Sequence, residues 1–544
     1  MGPDPPSGAG RQKCRQPALL AGVGSVVVLA SMAACSGRDE PVVDVDRREP
    51  LKLRRALGAE PDTLDPRLAE DNAALAIAAE LHEGLTRSAP DGSIRPGAAE
   101  SWEVSEDGRR YLFRLRNGLK WSNGESLAAG HFSSALLELS RPDSTAPYAG
   151  LFDALRTVEA PDARHLRLTL ERALPQLPAL LALPAAAPRY PRDQFDGTTP
   201  VSGPFRLRER TVGERLLLER NPFYWDADSV ALDEVIYLTV QDLGTELNLY
   251  RTGEIDITSE VPNTHVASLQ AELPDELRIT PYLGVYAYAV NMERLADRDA
   301  RTALAMAVDR DRITRQVTGA GELPAYGWIP AGITGYAPAR FSWQGLPYEQ
   351  AADSARRLWS AARSRGHAPD TLTLCTDASA NHHRTAVALA DLWRTALEVE
   401  TRIVELEWGV YLDTRRSPGE CDLIRLGWSA DFVDPEAFAG VFESSNPQNT
   451  LGYRSAFYDK LLAQSRAAAT PAQRMALLAD AEAALLEDVG VVPVFFRVSK
   501  RLVKPAVTGV EANPLGRLSS RDLSLKRDPT STDAPGMPAA AQFR

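Results

Sequence analysis

The chain has 544 residues, too many for one hydrophobic core and enough for two or three domains. Its 73 Asp and Glu exceed its 61 Lys and Arg, and the net charge of −12 speaks against nucleic acid or an anionic lipid surface as a partner. Composition is otherwise that of an ordinary globular protein and carries no information about the fold.

Arg11, Lys13 and Arg15 precede an apolar run from Pro17 to Met32. The run is short for a membrane span and fits a secretory signal. Met32-Ala33-Ala34-Cys35 then puts small residues directly before a cysteine and resembles a bacterial lipobox, with Met32 in a slot more often filled by Leu. The resemblance implies removal of residues 1–34 and lipid attachment to the Cys35 sulfur, which would hold a soluble body at a membrane. The alternative is an ordinary signal peptide that happens to contain a cysteine. Residues 35–49 are polar and charged and read as a tether. No later run approaches the roughly 18 apolar residues of a spanning helix. Ala179 to Ala187 is apolar but short and broken by Pro184.

Beyond the tether, strands alternate with helices. Tyr111 to Arg116, Leu166 to Leu170 and Phe205 to Leu207 alternate at period two and predict strands. Arg301 to Val308 is apolar at helical spacing through Ala303, Leu304 and Ala307. Cys421 to Trp428 is an apolar run that reads as a buried strand, with Arg425, Trp428 and Asp431 at its exit. Thr470-Pro471-Ala472-Gln473 predicts a capping box with Pro in the first turn, opening a helix through Met475, Leu478, Ala481 and Leu485. Val491 to Val498 follows as a buried strand, and residues 526–544, rich in Pro, Ala, Ser and Thr, read as a disordered tail. The fold class is α/β. With Cys14 lost and Cys35 acylated, Cys375 and Cys421 remain; an exported protein with one such pair invites a disulfide, although two buried thiols would read the same.

An arginine, an indole and an aspartate at one strand exit are costly to bury unless a ligand or partner answers the charges. A carboxylate and a guanidinium held apart on a rigid element suit a zwitterion, such as a peptide with free termini.

Several separated segments resemble extracellular solute-binding protein family 5, the binding components of ABC importers, nearest its oligopeptide-binding members. They include Glu60-Pro61-Asp62-Thr63-Leu64-Asp65-Pro66, His82-Glu83-Gly84-Leu85, Leu119-Lys120-Trp121-Ser122-Asn123-Gly124 and Leu218-Glu219-Arg220-Asn221-Pro222. Val308-Asp309-Arg310-Asp311, the Trp428 segment and Arg501-Leu502-Val503-Lys504-Pro505 complete the series, in order from about Leu51 to Leu525. The resemblance implies a two-lobed periplasmic-binding-protein-like fold of the class II type, with an additional domain and the ligand buried between the lobes. Lobe I would be residues 50–82, 198–281 and 498–525, the additional domain 83–197 and lobe II 282–497. The hinge would cross near Pro281-Tyr282 and Val498-Ser499.

The same resemblance implies the site. Asp431 would pair with the α-amino group of a peptide, and Trp428 and Trp408 would wall side-chain pockets. Arg415 and Arg425 would receive the terminal carboxylate, a group that suits the planar guanidinium fork, with His382 serving the same end. Arg416, next to Arg415, makes that register ambiguous. Tyr148 would touch the peptide, and Glu70 would meet a basic side chain or its water. Main-chain groups around residues 70–72, including Asn72, and 428–430, including Ser429 and Ala430, would hold the peptide backbone as a strand. The family's cysteine pair is replaced by Ser429 and Gly284, so that disulfide is absent.

The expected function is capture of short peptides for delivery to ABC permease membrane subunits by a monomer on the outer side of a membrane, without cofactor, metal or nucleic acid. Another solute (a murein peptide, an opine, a metal chelate) or a sensor or chaperone role are the alternatives. The chain has neither the G-x-S-x-G nor the H-E-x-x-H pattern of common hydrolases, and no GxxxxGK[ST] loop for ATP.

Overall fold

The computed structural model describes residues 50–526 apart from 193, 194 and 447. Cys35, the signal, the tether and the tail beyond residue 526 lie outside the described residues. Three sheets of four or more strands organise the rest.

In the first sheet, Lys52–Ala56 lies parallel to Glu234–Leu238, followed by antiparallel Arg215–Arg220 and Phe205–Thr211. The second is an antiparallel sheet of Ala99–Val104, Arg110–Leu115, His165–Leu170 and Leu155–Glu159. Its period-two pattern works as expected, with Tyr111, Phe113 and Leu115 buried and the residues between them turned outward. The third has six strands in the order Leu323–Pro324, Val491–Leu502, Leu277–Val290, Leu423–Ser429, Thr371–Asp377 and Glu400–Leu406. Its last three strands are parallel neighbours, held in place by the helices Ala380–Leu397 and Trp408–Arg416 that connect them.

Two long strands, Leu277–Val290 and Val491–Leu502, position the site. Leu277–Pro281 pairs with Val498–Leu502, and the register then shifts between Pro281 and Val285 before pairing resumes. The near end is stitched toward the first sheet, because Ile257 bridges both Arg55 and Val503. The far end lies at the centre of the third sheet.

Helix ends follow local chemistry. Asp297 caps Arg298–Met306 by accepting from the Ala300 amide at 3.1 Å. Thr470 caps Pro471–Asp488 by accepting from the Gln473 amide at 3.2 Å. The reciprocal half of that box differs from the expectation, since the Gln473 side chain reaches the Ala469 amide instead of that of Thr470. Pro184 breaks the run from Ala179 to Ala187 into a short helix, Leu177–Leu180, and a turn, Pro184–Ala186. Cys375 and Cys421 are joined in a disulfide with Cα atoms 5.8 Å apart, tying Thr371–Asp377 to the entry of Leu423–Ser429. Gly284 and Ser429 are direct partners across their strands.

The buried core is continuous between the second sheet and the third. Phe113, Trp121 and Leu168 belong to one cluster with Val285, Leu426 and Phe438. A separate cluster packs helices against the opposite face of the third sheet, and another lies under the first sheet. No helix among the described residues is long and apolar enough to cross a membrane.

Candidate ligand-binding site

A cavity of about 490 Å³ opens where the register of the long strands breaks, a volume in the range of small-ligand sites. Its wall combines Glu70 to Asn72, Tyr148, Trp408, Arg415, Gly427 to Asp431, Arg497 and Arg517. The strand Leu423–Ser429 supplies the centre. One edge pairs with Leu277–Val290 along its whole length. The other pairs with Thr371–Asp377 only at Leu423 and Ile424, so that from Arg425 onward that edge has no strand partner among the described residues. Ser429 and Ala430 lie on this stretch, and the Ala430 amide is taken by the Leu283 carbonyl at 2.8 Å. Asn72 is exposed at the start of the helix Asn72–Leu81, next to its cap Asp71.

Asp431 follows directly, with a side chain 12% exposed. Its charge is answered within the protein, where the Arg517 guanidinium donates to Oδ1. The Tyr148 hydroxyl donates to Oδ2 at 3.0 Å. Burial raises the Asp431 pKa above the ordinary aspartate value, with Arg517 and Tyr148 opposing it. Arg517 reaches this point from the turn Asn513 to Gly516, in which the Gly516 amide donates to the Asn513 carbonyl at 2.9 Å. Gly516 adopts φ +67°, and a β-carbon there would stand 3.0 Å from the Tyr282 ring. Arg517 escapes sequence reading because it is 86 residues from Asp431 and sits in an aperiodic loop.

Both tryptophans line the cavity. The Trp428 indole donates to the Ala437 carbonyl at 2.7 Å, which fixes its ring. Trp408 opens its helix, stacks on Tyr411 with centroids 5.4 Å apart and leaves its indole nitrogen without a partner. On the same helix, Arg415 and Arg416 separate. Arg415 faces the cavity with no ion pair or hydrogen bond from its side chain among the described residues. Arg416 bonds Glu70 at 2.5 Å, joining the helix to the segment before Asn72. Glu70 therefore has a partner within the protein.

Arg425 and His382 both meet Asp377. The Arg425 Nε lies 2.5 Å from Asp377 Oδ1 but out of line for a hydrogen bond, so the pair is held by charge. Its guanidinium also stands 5.0 Å from the Tyr411 ring centre. His382 Nδ1 contacts both Asp377 oxygens at 3.0 Å, and its ring does not line the cavity. Burial lowers the His382 pKa, Arg425 lowers it further and Asp377 opposes both. Burial would raise the Asp377 pKa, but Arg425 and His382 outweigh it and hold the carboxyl well below its usual range. His382 thus orients the counter-ion of Arg425 from behind. Its neighbour His383 turns to Glu405 at 3.1 Å, and no group of three His, Cys, Asp or Glu among the described residues is placed to hold a metal.

Comparison with known proteins gives one consistent pattern. The family described as Bacterial extracellular solute-binding proteins, family 5 Middle, matches residues 93–450. The chain is 32% identical over 537 residues to the periplasmic oligopeptide-binding protein OppA of Escherichia coli K12, across 93% of this chain and 98% of that protein. The crystal structure of Haemophilus influenzae OppA in complex with the peptide RPPGFSPFR is similar at a TM-score of 0.83 and 30% identity, covering 88% of this chain and 100% of that one. The Escherichia coli murein tripeptide-binding protein MppA reaches 0.84 at 30% identity, covering 88% and 99% of the two chains. An unliganded open form of MppA falls to 0.64, at 30% identity and with coverage of 88% and 98%. The arrangement of this chain is nearer to the peptide-bound relative than to the open one.

Proposed function

The chain belongs to the bacterial extracellular solute-binding proteins, family 5, and we propose that it closes two lobes on a short peptide and delivers it to the permease subunits of an ABC importer. One observation carries the reading: the cavity holds a buried carboxylate, Asp431, together with a cation that has no counter-ion among the described residues, Arg415. These are the charges that the two termini of a peptide call for. The peptide α-ammonium meets Asp431 in competition with Arg517, and the carboxylate goes to Arg415. The unpartnered edge beyond Arg425 offers main-chain groups to an extended backbone, so recognition is tolerant of side chains.

The lobe boundaries expected above are supported by sheet membership. The strands of the first sheet fall in 50–82 and 198–281, those of the second in 83–197, and only the two long strands cross between lobes. The register shift beside Pro281 supports a hinge there. The role is binding without catalysis.

Calorimetric titration with tetra-alanine and its N-acetyl derivative tests the amine assignment. Acetylation should weaken binding roughly tenfold or more, because it removes the cation that answers a buried carboxylate. Ammonium binding needs the ionised carboxylate. Since the Asp431 pKa is raised in the free protein, affinity should be full at neutral pH and fall on acidification before an ordinary aspartate, near 3.9, would titrate. Equal affinities for the two peptides would refute the assignment.

Export and lipid attachment at Cys35 complete the proposal. Cys35→Ser should release the protein from the membrane fraction into the soluble one; a variant that still sediments with lipid would exclude the anchor.

A further inference from the structure

The ligand-facing charges are unequally engaged. Among the carboxylates of the cavity wall, Asp431 is held by Arg517, Glu70 by Arg416, Glu80 by Arg55, Glu83 and Asp522 by Arg521, and Glu260 by Lys500 at 3.3 Å. Asp71 caps a helix, and burial with the neighbouring Asp62 pushes its pKa up to about 7, so it brings only part of a negative charge at neutral pH. Glu511 has no ion pair but is exposed at the rim. The cations are less well matched. Arg497 lines the cavity half-buried, and among the described residues its guanidinium makes neither an ion pair nor a hydrogen bond. It stands 5.7 Å from the centre of the Tyr282 ring, and after Lys500 it helps to offset the burial that would raise the Glu260 pKa.

Arg497 is also close to a second cation. A β-carbon placed on Gly427 would stand 2.7 Å from Arg425 Nη1 and 3.4 Å from Arg497 Nη1. The absence of a side chain at Gly427 therefore lets two guanidinium groups converge on one patch of the cavity floor. Asp377 answers the Arg425 charge, and Glu260, which also pairs with Lys500, feels the Arg497 charge without accepting a hydrogen bond from it. Neither Nη group of Arg425 has an acceptor among the described residues. Two like charges with unfilled donors, turned toward the cavity, are stabilised by an anion that bridges them. A carboxylate fits the planar forks better than a point charge would.

Resting on the peptide-binding reading, we propose that Arg497 and Arg425 form a carboxylate subsite separate from Arg415, so that the favoured cargo is an acidic peptide carrying a carboxylate side chain in addition to its C-terminus. The subsite gives selectivity where the backbone contacts give none. Its contribution should weaken as salt rises wherever the cavity mouth admits ions.

The test is a calorimetric scan of tetra-alanine in which each residue in turn becomes Glu, Gln or Lys, with C-terminally amidated tetra-alanine as a further arm. In the wild-type protein, Glu at one position should bind roughly tenfold or more tighter than Gln there, with Lys weakest, as for a charge-assisted bidentate contact. Arg497→Gln should collapse that Glu-to-Gln ratio to about one, and Arg497→Lys should restore part of it as a lone charge without the fork. Equal affinities for Glu and Gln at every position of the wild-type protein overturn the inference, and this comparison needs no variant to fold. A preference that survives Arg497→Gln also overturns it. If Arg497→Gln instead erases only the difference between free and amidated tetra-alanine, the pair takes the terminal carboxylate and the side-chain assignment fails. Failure of every peptide in the scan to bind would reject the peptide reading itself.

Discussion

Asp431→Ala lowers the affinity for tetra-alanine roughly a hundredfold or more, an expected cost of about 3–5 kcal/mol, the range for removing one partner of a buried ion pair. The argument starts from exposure. The Asp431 side chain is 12% exposed, and its two oxygens are engaged by Arg517 and the Tyr148 hydroxyl. Removing the carboxylate leaves the Arg517 guanidinium without its counter-ion and brings an ammonium into the same closed space, so two like charges meet where one pair stood. Asp431→Asn should lose nearly as much, because the amide can still accept from Tyr148 but carries no charge. The companion change Arg517→Ala acts in the opposite direction. It removes the internal competitor and leaves a buried carboxylate for the ammonium to neutralise, so tetra-alanine binds more tightly. Calorimetry on the three variants reads this directly. Unchanged affinity in Asp431→Ala, with a normal melting transition, would remove the amine role.

Asp377→Ala lowers the stability of the fold by about 3–5 kcal/mol, for the same class of reason applied to a structural pair. Arg425 is 6% exposed, and Asp377 is its ion-pair partner at 2.5 Å. Alanine leaves that guanidinium buried and uncompensated, and it frees the His382 ring as well. The sign with pH follows from the depressed carboxyl. Asp377 binds its proton more readily in the unfolded chain than in the folded one. Its contribution is therefore complete above the ordinary aspartate range and is lost as pH falls toward the depressed value. The wild type should lose stability across that acid window, and Asp377→Ala should show a flatter profile. Urea midpoints measured from neutral to acid pH check both statements. A variant within about 1 kcal/mol of wild type at neutral pH would show that the aromatic faces around Arg425 suffice without the carboxylate.

The contrast between these two aspartates explains what was legible in the sequence. The strand ending in Trp428-Ser429-Ala430-Asp431 was readable, because a run of apolar residues followed by a charge marks a buried strand leaving a sheet. The alternation around Phe113 and the cap at Thr470 were readable for equally local reasons. The partners of the charges were not. The sequence gives Arg425 no counter-ion; the neighbouring strand supplies it. Leu374 and Cys375 lie beside Leu423 and Ile424 in parallel register, which carries Asp377 to one residue beyond the level of Arg425, within reach of its guanidinium. Periodicity contains no hint of that register. Arg517 is hidden for the same reason, since the loop that delivers it meets Asp431 across 86 residues of chain. Glu70 and Arg416 likewise pair across segments distant in the chain. In each case the residue type was informative and its counter-ion came from tertiary structure, so groups expected to be open to ligand are in part satisfied internally. Arg415 and Arg497 are left open, the first anticipated and the second not.

Mass spectrometry of the material released from natively expressed protein tests the central claim most directly. The account predicts short peptides with free amino termini, enriched in Asp and Glu. Recovery of a single solute without an amine, held in the cavity beside Asp431, would contradict it.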